Sequence, residues 1–196
     1  MSRQRMTRAE REQQILTVAE GLFSERGFLK ATMDELAERV GVSKPVIYDY
    51  FGSKQGLLVA ILTRARTDLH QMSVAAVKET DDAREGLRGA LVAFFRFIED
   101  HRQAWSVLNR EASLLAGGAG EELESLRNQQ ADFIAGFLSG HGLTRDARAA
   151  DMYAQIVVGA GERLALWLED KPGVTAEEAA DMMMTALWTG LGDPAA

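Results

Sequence analysis

Residues able to do chemistry are few and unevenly placed in this chain. Its 196 residues include no Cys, which excludes thiolate nucleophiles, thiolate metal sites and disulfides. The three His, at 70, 101 and 141, have no metal-ligand spacing. No Ser/His/Asp order carries nucleophile-elbow glycines, and no glycine loop has phosphate-cradling spacing. What remains is one short run, Ser43-Lys44-Pro45-Val46, with Tyr48, Tyr50 and Ser53-Lys54 behind it. Ser and Lys donate the hydrogen bonds that base edges accept, while Pro and Val offer apolar contact to a thymine methyl. The hydroxyls of Tyr48 and Tyr50 suit phosphate at a groove rim. Thr32 and Ser53-Lys54 stand where helices would open, with free N–H groups toward an anion. This is the chemistry of duplex recognition; no metal or cofactor is implied.

Charge supports that reading once it is divided. The whole chain is −7, which argues against a nucleic-acid binder. Residues 1–66, however, hold eleven basic and eight acidic side chains, a balance of +3, and the remainder carries −10. Screening cuts off charges beyond about 8–10 Å, so a cationic head can hold phosphates on an anionic body. The basic N-terminus is followed by no apolar h-region, and the longest apolar run, Ala90–Phe95, is far too short to span a bilayer. A soluble, cytoplasmic protein is expected.

The elements that must position these residues are helices. No stretch alternates apolar and polar residues for long enough to make a strand, and only three Pro occur. The pattern predicts an all-α fold of about nine helices. The first covers about 7–26, with Ile15, Val18, Ala19, Leu22 and Phe23 on one buried face and Gly27 at its end. Thr32-Met-Asp-Glu35 reads as a capping box opening the second, which Gly41 ends. Ser43 caps a short third helix with Pro45 in its first turn, and Phe51 is expected in the core. Ser53 caps a fourth helix with Leu57, Leu58, Ile61, Leu62, Ala65 and Leu69 on its face. Further helices are predicted over 82–100, 102–116, 121–139, 145–170 and 175–191. The last two are apolar almost all round, which predicts a face covered by a second copy. Ile156, Ala160, Leu164, Trp167, Met183, Leu187 and Trp188 are its candidates.

Residues 32–48 thus read helix, tight turn, short helix, the helix-turn-helix arrangement. The run Gly41-Val-Ser-Lys-Pro-Val-Ile-Tyr-Asp-Tyr-Phe-Gly-Ser-Lys54, with Gly56-Leu-Leu58 close behind, resembles the DNA-binding signature of TetR-family transcriptional regulators. Upstream, Ile15, Ala19, Leu22-Phe23, Gly27-Phe28, Ala31-Thr32-Met33 and Leu36-Ala37 follow the same pattern, so the likeness covers about residues 10–62. The resemblance implies a head over 1–52, a linking helix starting at 53–66, and a ligand-binding and dimerisation body over 67–196. It implies that Thr32 caps a helix against phosphate and that Ser43, Lys44, Pro45 and Val46 read bases. Tyr48 and Lys54 would meet the phosphate backbone, and Tyr50 stands where the family often has His or Tyr. Asp49 departs modestly, placing a carboxylate beside these contacts; it is expected to point away from DNA.

No sharp signature marks the body. A pocket among helices should be mostly apolar with a few polar groups. Trp105, Asn109, Phe133, Phe137, Met152, Tyr153, Gln155 and Arg163 are its candidates, for a small, largely apolar ligand. The expected function is a ligand-responsive regulator, foremost a repressor, that binds a near-palindromic operator as a homodimer and is released by that ligand. The alternatives are an activator or ligand-independent regulator of the same fold, a helical adaptor, or an enzyme with an unmarked site in the body.

Overall fold

The computed structural model describes residues 6–103, 105, 118–169, 171 and 173–191. Among them are eight helices and no strand: α1 Arg8–Arg26, α2 Met33–Val40, α3 Lys44–Phe51, α4 Lys54–Val77, α5 Ala83–Asp100, α6 Gly118–Gly140, α7 Ala147–Leu168 and α8 Ala176–Leu191. The helix expected over 102–116 falls largely outside the described residues. The chain divides into two compact units, Met1–Ala65 with Arg102–Glu124, and Arg66–His101 with Ser125–Ala196. The placement of 102–124 in the first unit has no sequence signal.

Local chemistry sets the helix ends. Thr7 and Glu10 form a full capping box at α1, and the Thr7 N–H and hydroxyl hold the Glu10 carboxyl below its usual pKa. A second box, not expected from the sequence, opens α8: Thr175 N–H meets Glu178 Oε2 at 2.9 Å and Glu178 N–H meets Thr175 Oγ1 at 3.2 Å. The box expected at α2 is only half made. Thr32 Oγ1 accepts the Glu35 N–H at 3.1 Å, but the Glu35 carboxylate turns to Arg39 at 2.9 Å and Arg26 at 3.7 Å. Two guanidiniums outcompete one backbone N–H for that carboxylate.

Unit 1 packs α1, α2 and the first three turns of α4 around Ile15, Leu22, Leu36, Leu57, Leu58, Ile61 and Leu62, each with 0% exposure. The turn between α2 and α3 is closed by Gly41, whose φ of 76° favours glycine; its N–H and that of Val42 both return to the Ala37 carbonyl. In unit 2, α5 packs mainly against α8, with α7 beside them. Arg88 binds Asp181 through two hydrogen bonds, and Arg96 binds Glu177. Both carboxyls are held below their usual pKa, first by those hydrogen bonds. Phe95 and Phe97 are core, while Phe94 is only half-buried.

The α3–α4 junction depends on one close approach. A Cβ on Gly56 would lie 2.1 Å from the Phe51 carbonyl oxygen, far inside contact distance. Gly56→Ala should therefore destabilise the first unit by about 1–3 kcal/mol. Thermal melting followed by circular dichroism checks this, and an unchanged midpoint would contradict it.

Candidate nucleic-acid interface

α3 is eight residues long and has a single buried residue, Ile47 at 0% exposure. Ser43, Pro45, Tyr48 and Asp49 are exposed, and Lys44, Val46, Tyr50 and Phe51 are half-buried. Ile47, not Phe51, is thus the core anchor. The Phe51 ring sits 6.0 Å from that of Tyr50. A helix presenting most of its surface outward, at the second position of a helix-turn-helix, is built to enter a groove.

The N-terminal end of α3 is chemically open. Ser43 holds the N-cap position, yet its hydroxyl makes no capping hydrogen bond. The reason is local. A cap hydroxyl accepts from the second or third helical N–H. Here the second residue is Pro45, which has none, and the Val46 N–H goes to the Ser43 carbonyl at 3.0 Å. Among the described residues, the Ser43 hydroxyl has no capping partner. Thr32 keeps donor capacity of a similar kind, because its oxygen accepts from Glu35 while Glu35 leaves the Thr32 N–H untouched.

The cations are less open. Lys44 Nζ lies 2.9 Å from Asp34 Oδ2, and this hydrogen bond raises the Lys44 pKa above its ordinary value. Lys54 turns inward: its ammonium donates to the carbonyls of Phe28 and, at 2.6 Å, Ala31, and stands 4.5 Å from the Phe28 ring centroid. It ties the start of α4 to the α1–α2 turn. Two residues absent from the sequence expectation join this picture. Arg8, at the start of α1, lies 4.9 Å from the Tyr50 ring centroid. Lys30 is exposed two residues before Thr32. Pairing across 42 positions leaves no sequence signal for Arg8; Lys30 was visible only as part of a basic balance.

The body candidates separate. Trp105 is buried and belongs to the first unit, and Asn109 lies outside the described residues. Phe133 is half-buried against His70, ring centroids 5.4 Å apart. Phe137 is buried beside His141, and Tyr153 is half-buried. Met152, Gln155 and Arg163 lie on the exposed face of α7, because the inward face is taken by small residues. Those are Ala150, Ala154, Val157, Val158, Gly161 and Ala165. Unit 2 instead gathers polar groups that the sequence did not single out. Glu162 meets Arg127 at 2.9 Å and Arg66 at 3.5 Å, while Gln130 links His70 at 3.2 Å to the buried Ser73 hydroxyl at 3.3 Å.

Of the candidate partner-facing residues, Ile156 and Trp167 are 50% and 54% exposed, Ala160 is exposed, and Leu164, Leu187 and Trp188 are half-buried. Met183, at 5% exposure, lies in the core, since α8 turns it inward with Ala179, Ala180 and Met184.

An outward-facing α3 behind a glycine turn defines a helix-turn-helix DNA-binding protein. Residues 15–61 match the family model of bacterial regulatory proteins of the tetR family, and residues 83–190 match the tetracyclin repressor-like C-terminal domain. The chain belongs to the TetR family of transcriptional regulators. It is 30% identical over 187 residues to the HTH-type transcriptional activator FasR of Mycolicibacterium smegmatis, covering 95% of this chain and 85% of that one. A TetR-like regulator from Rhodococcus sp. RHA1 superposes with a TM-score of 0.78 at 32% identity, covering 96% of this chain and 99% of that one. AibR, solved in complex with isovaleryl coenzyme A and operator DNA, shares the fold with a TM-score of 0.75 at 22% identity, covering 91% of this chain and 98% of that one. Among the described residues, no helix is long and apolar enough to cross a membrane, and no cluster of metal-ligating side chains occurs.

Asp34 holds the Lys44 ammonium and adds a negative charge near the open end of α3. Asp34→Asn should strengthen binding to duplex DNA, most at low salt, where charge is least screened. Fluorescence anisotropy at two salt concentrations reads the effect; equal or weaker binding by the variant would count against Lys44 facing DNA.

Proposed function

We propose that this regulator binds a near-palindromic operator as a homodimer through α3 and is released when a small, largely apolar ligand occupies unit 2. The observation that carries the reading is α3 itself, which buries Ile47 alone and leaves the Ser43 hydroxyl without a capping hydrogen bond. Ser43, Lys44, Pro45 and Val46 read bases, and Thr32, Tyr48 and Tyr50 meet the backbone. The protein acts by binding and not by turnover; its relatives are named as regulators. Selection of preferred sites from random duplexes by the purified protein tests this directly. An enriched near-palindrome, with affinity falling steeply as salt rises, is expected. A folded protein that enriches nothing would defeat the proposal.

The dimer rests on α7. Met152, Ile156, Ala160 and Trp167 form one outward stripe, with the three larger side chains each at least half exposed. Large apolar side chains aligned outward over four turns favour a covered surface. Ile156→Asp should convert a dimer into a monomer at micromolar concentration. Sedimentation velocity measures this, and a monomeric wild-type chain would exclude the dimer.

Ligand release is a population shift. Moving the protein from mostly bound to mostly released takes roughly 3–6 kcal/mol of differential affinity. AibR, crystallised with isovaleryl coenzyme A and operator DNA, supports a small-molecule partner. The Arg66–Glu162–Arg127 and His70–Gln130–Ser73 groups are the polar anchors nearest to that role. Similarity to FasR, named an activator, favours a second reading in which the same DNA-bound dimer activates transcription. A reporter under the selected operator separates the signs.

A further inference from the structure

The single buried residue of α3 fixes which of its side chains point away from the head. Ile47 is fully buried. At about 3.6 residues per turn, the positions two before and two after it fall about 160° around the helix axis, one on either side of the outermost line. Those positions hold Pro45 and Asp49. Exposure agrees: both are exposed, as is Tyr48, whereas Lys44, Val46, Tyr50 and Phe51 are half-buried. Residues four apart are neighbours on a helix surface, so Pro45 and Asp49 form one outward ridge. Asp49 is the one acid on α3, and among the described residues no hydrogen bond or ion pair takes its carboxylate. Glu12 and Glu38 are equally unpaired, so it is place that sets Asp49 apart. Asp34 is the contrasting case, its carboxylate held by Lys44 at 2.9 Å.

Resting on the DNA-binding reading above, we infer that Asp49 is a base-reading residue that selects cytosine, its carboxylate accepting a hydrogen bond from the cytosine N4 amino group in the major groove. Charge alone gives the opposite expectation, a carboxylate turned from the duplex. The helix geometry is against it, since a groove-bound α3 sends the face opposite Ile47 toward the base edges. There the choice of partner is narrow. An ionised carboxylate only accepts hydrogen bonds, and phosphates repel it. Guanine presents the N7 and O6 acceptors, thymine its O4, and adenine an amino group with the N7 acceptor beside it. Cytosine presents the N4 amino donor. An anion brought against any other edge loses water and gains no donor, so the same side chain favours cytosine and disfavours the rest.

The register follows from the same ridge. Four residues of helix rise about 6 Å and stacked bases are about 3.4 Å apart, so Asp49 meets a base about one or two steps from the one that Pro45 touches. With Pro45 against a thymine methyl, each half-site carries a cytosine within about two steps of that thymine, on one strand or the other.

The test is site selection from random duplexes by the full wild-type chain, by Asp49→Ala and by Asp49→Asn. Anisotropy titrations then compare the wild-type site with its single-base variants. The wild-type site should carry a fixed cytosine in each half, and replacing it should weaken wild-type binding about tenfold. Asp49→Ala should lose the preference at that position alone and bind the original and substituted duplexes equally. Asp49→Asn should move the preference there to adenine, because an amide pairs with adenine N6 and N7. Melting temperatures should stay unchanged, since the side chain is exposed. Variants that bind every duplex more tightly with the wild-type base preference intact would overturn the inference, for Asp49 would then only repel phosphate. A wild-type chain that selects no duplex overturns the DNA-binding reading itself, whereas a selected near-palindrome with no position sensitive to Asp49 overturns only this assignment.

Discussion

The third helix must hold its place while burying one side chain. A helix of eight residues is too short to be stable by itself, so its order comes from what it is attached to. Ile47 supplies the apolar attachment, and the rest is supplied from outside the helix. Gly41 returns the chain from α2, and Gly56 lets α4 start against the Phe51 carbonyl. Lys54 fastens that start to the α1–α2 turn through the Phe28 and Ala31 carbonyls. The dense core of α1, α2 and α4 therefore serves a helix that contributes little to it. The outward surface of α3 stays exposed because its stability is provided elsewhere.

The same constraint organises the charges. A head that must carry a positive surface cannot also leave every cation loose, since like charges repel and long side chains lose entropy when ordered. Unit 1 resolves this by pairing. Arg39, Arg26 and Arg64 hold helices together through Glu25, Glu35 and Glu20. The +3 balance of the first 66 residues thus says how much charge is present, not which residues present it. Only the hydrogen-bond geometry separates a structural cation from one available to a polyanion.

Unit 2 shows a division of another kind. α7 packs inward with alanine, glycine and valine, which allows close helix approach, and sends Met152, Ile156 and Trp167 outward. α8 does the reverse at Met183 and Met184, which fill the interior, while Met182 is 68% exposed. The polar groups around Glu162 and Gln130 join α4, α6 and α7, so the long fourth helix is tied into the body by hydrogen bonds as well as by Leu69. α4 begins at Lys54 in one unit and ends at Val77 in the other.

What the sequence by itself determined is what local periodicity and short motifs carry. The all-α class, the helix boundaries of the head, the Gly41 turn, the run from Ser43 to Val46 that opens α3 and the family follow from residues close together in the chain. So does the outward apolar stripe at Ile156 and Trp167, although the sequence could not say that Met183 lies on the inner side of α8. Tertiary structure decided everything that depends on pairing at a distance. It turned Lys54 onto carbonyls 23 and 26 positions away, and placed Arg8 on Tyr50. It drew Glu35 from its cap to Arg26 and Arg39. It set Met152, Gln155 and Arg163 on the outer face of α7, because small residues claimed the inner face. Helix formation is written in neighbours, whereas the fate of a charged side chain depends on which acceptors the fold brings within about 3 Å.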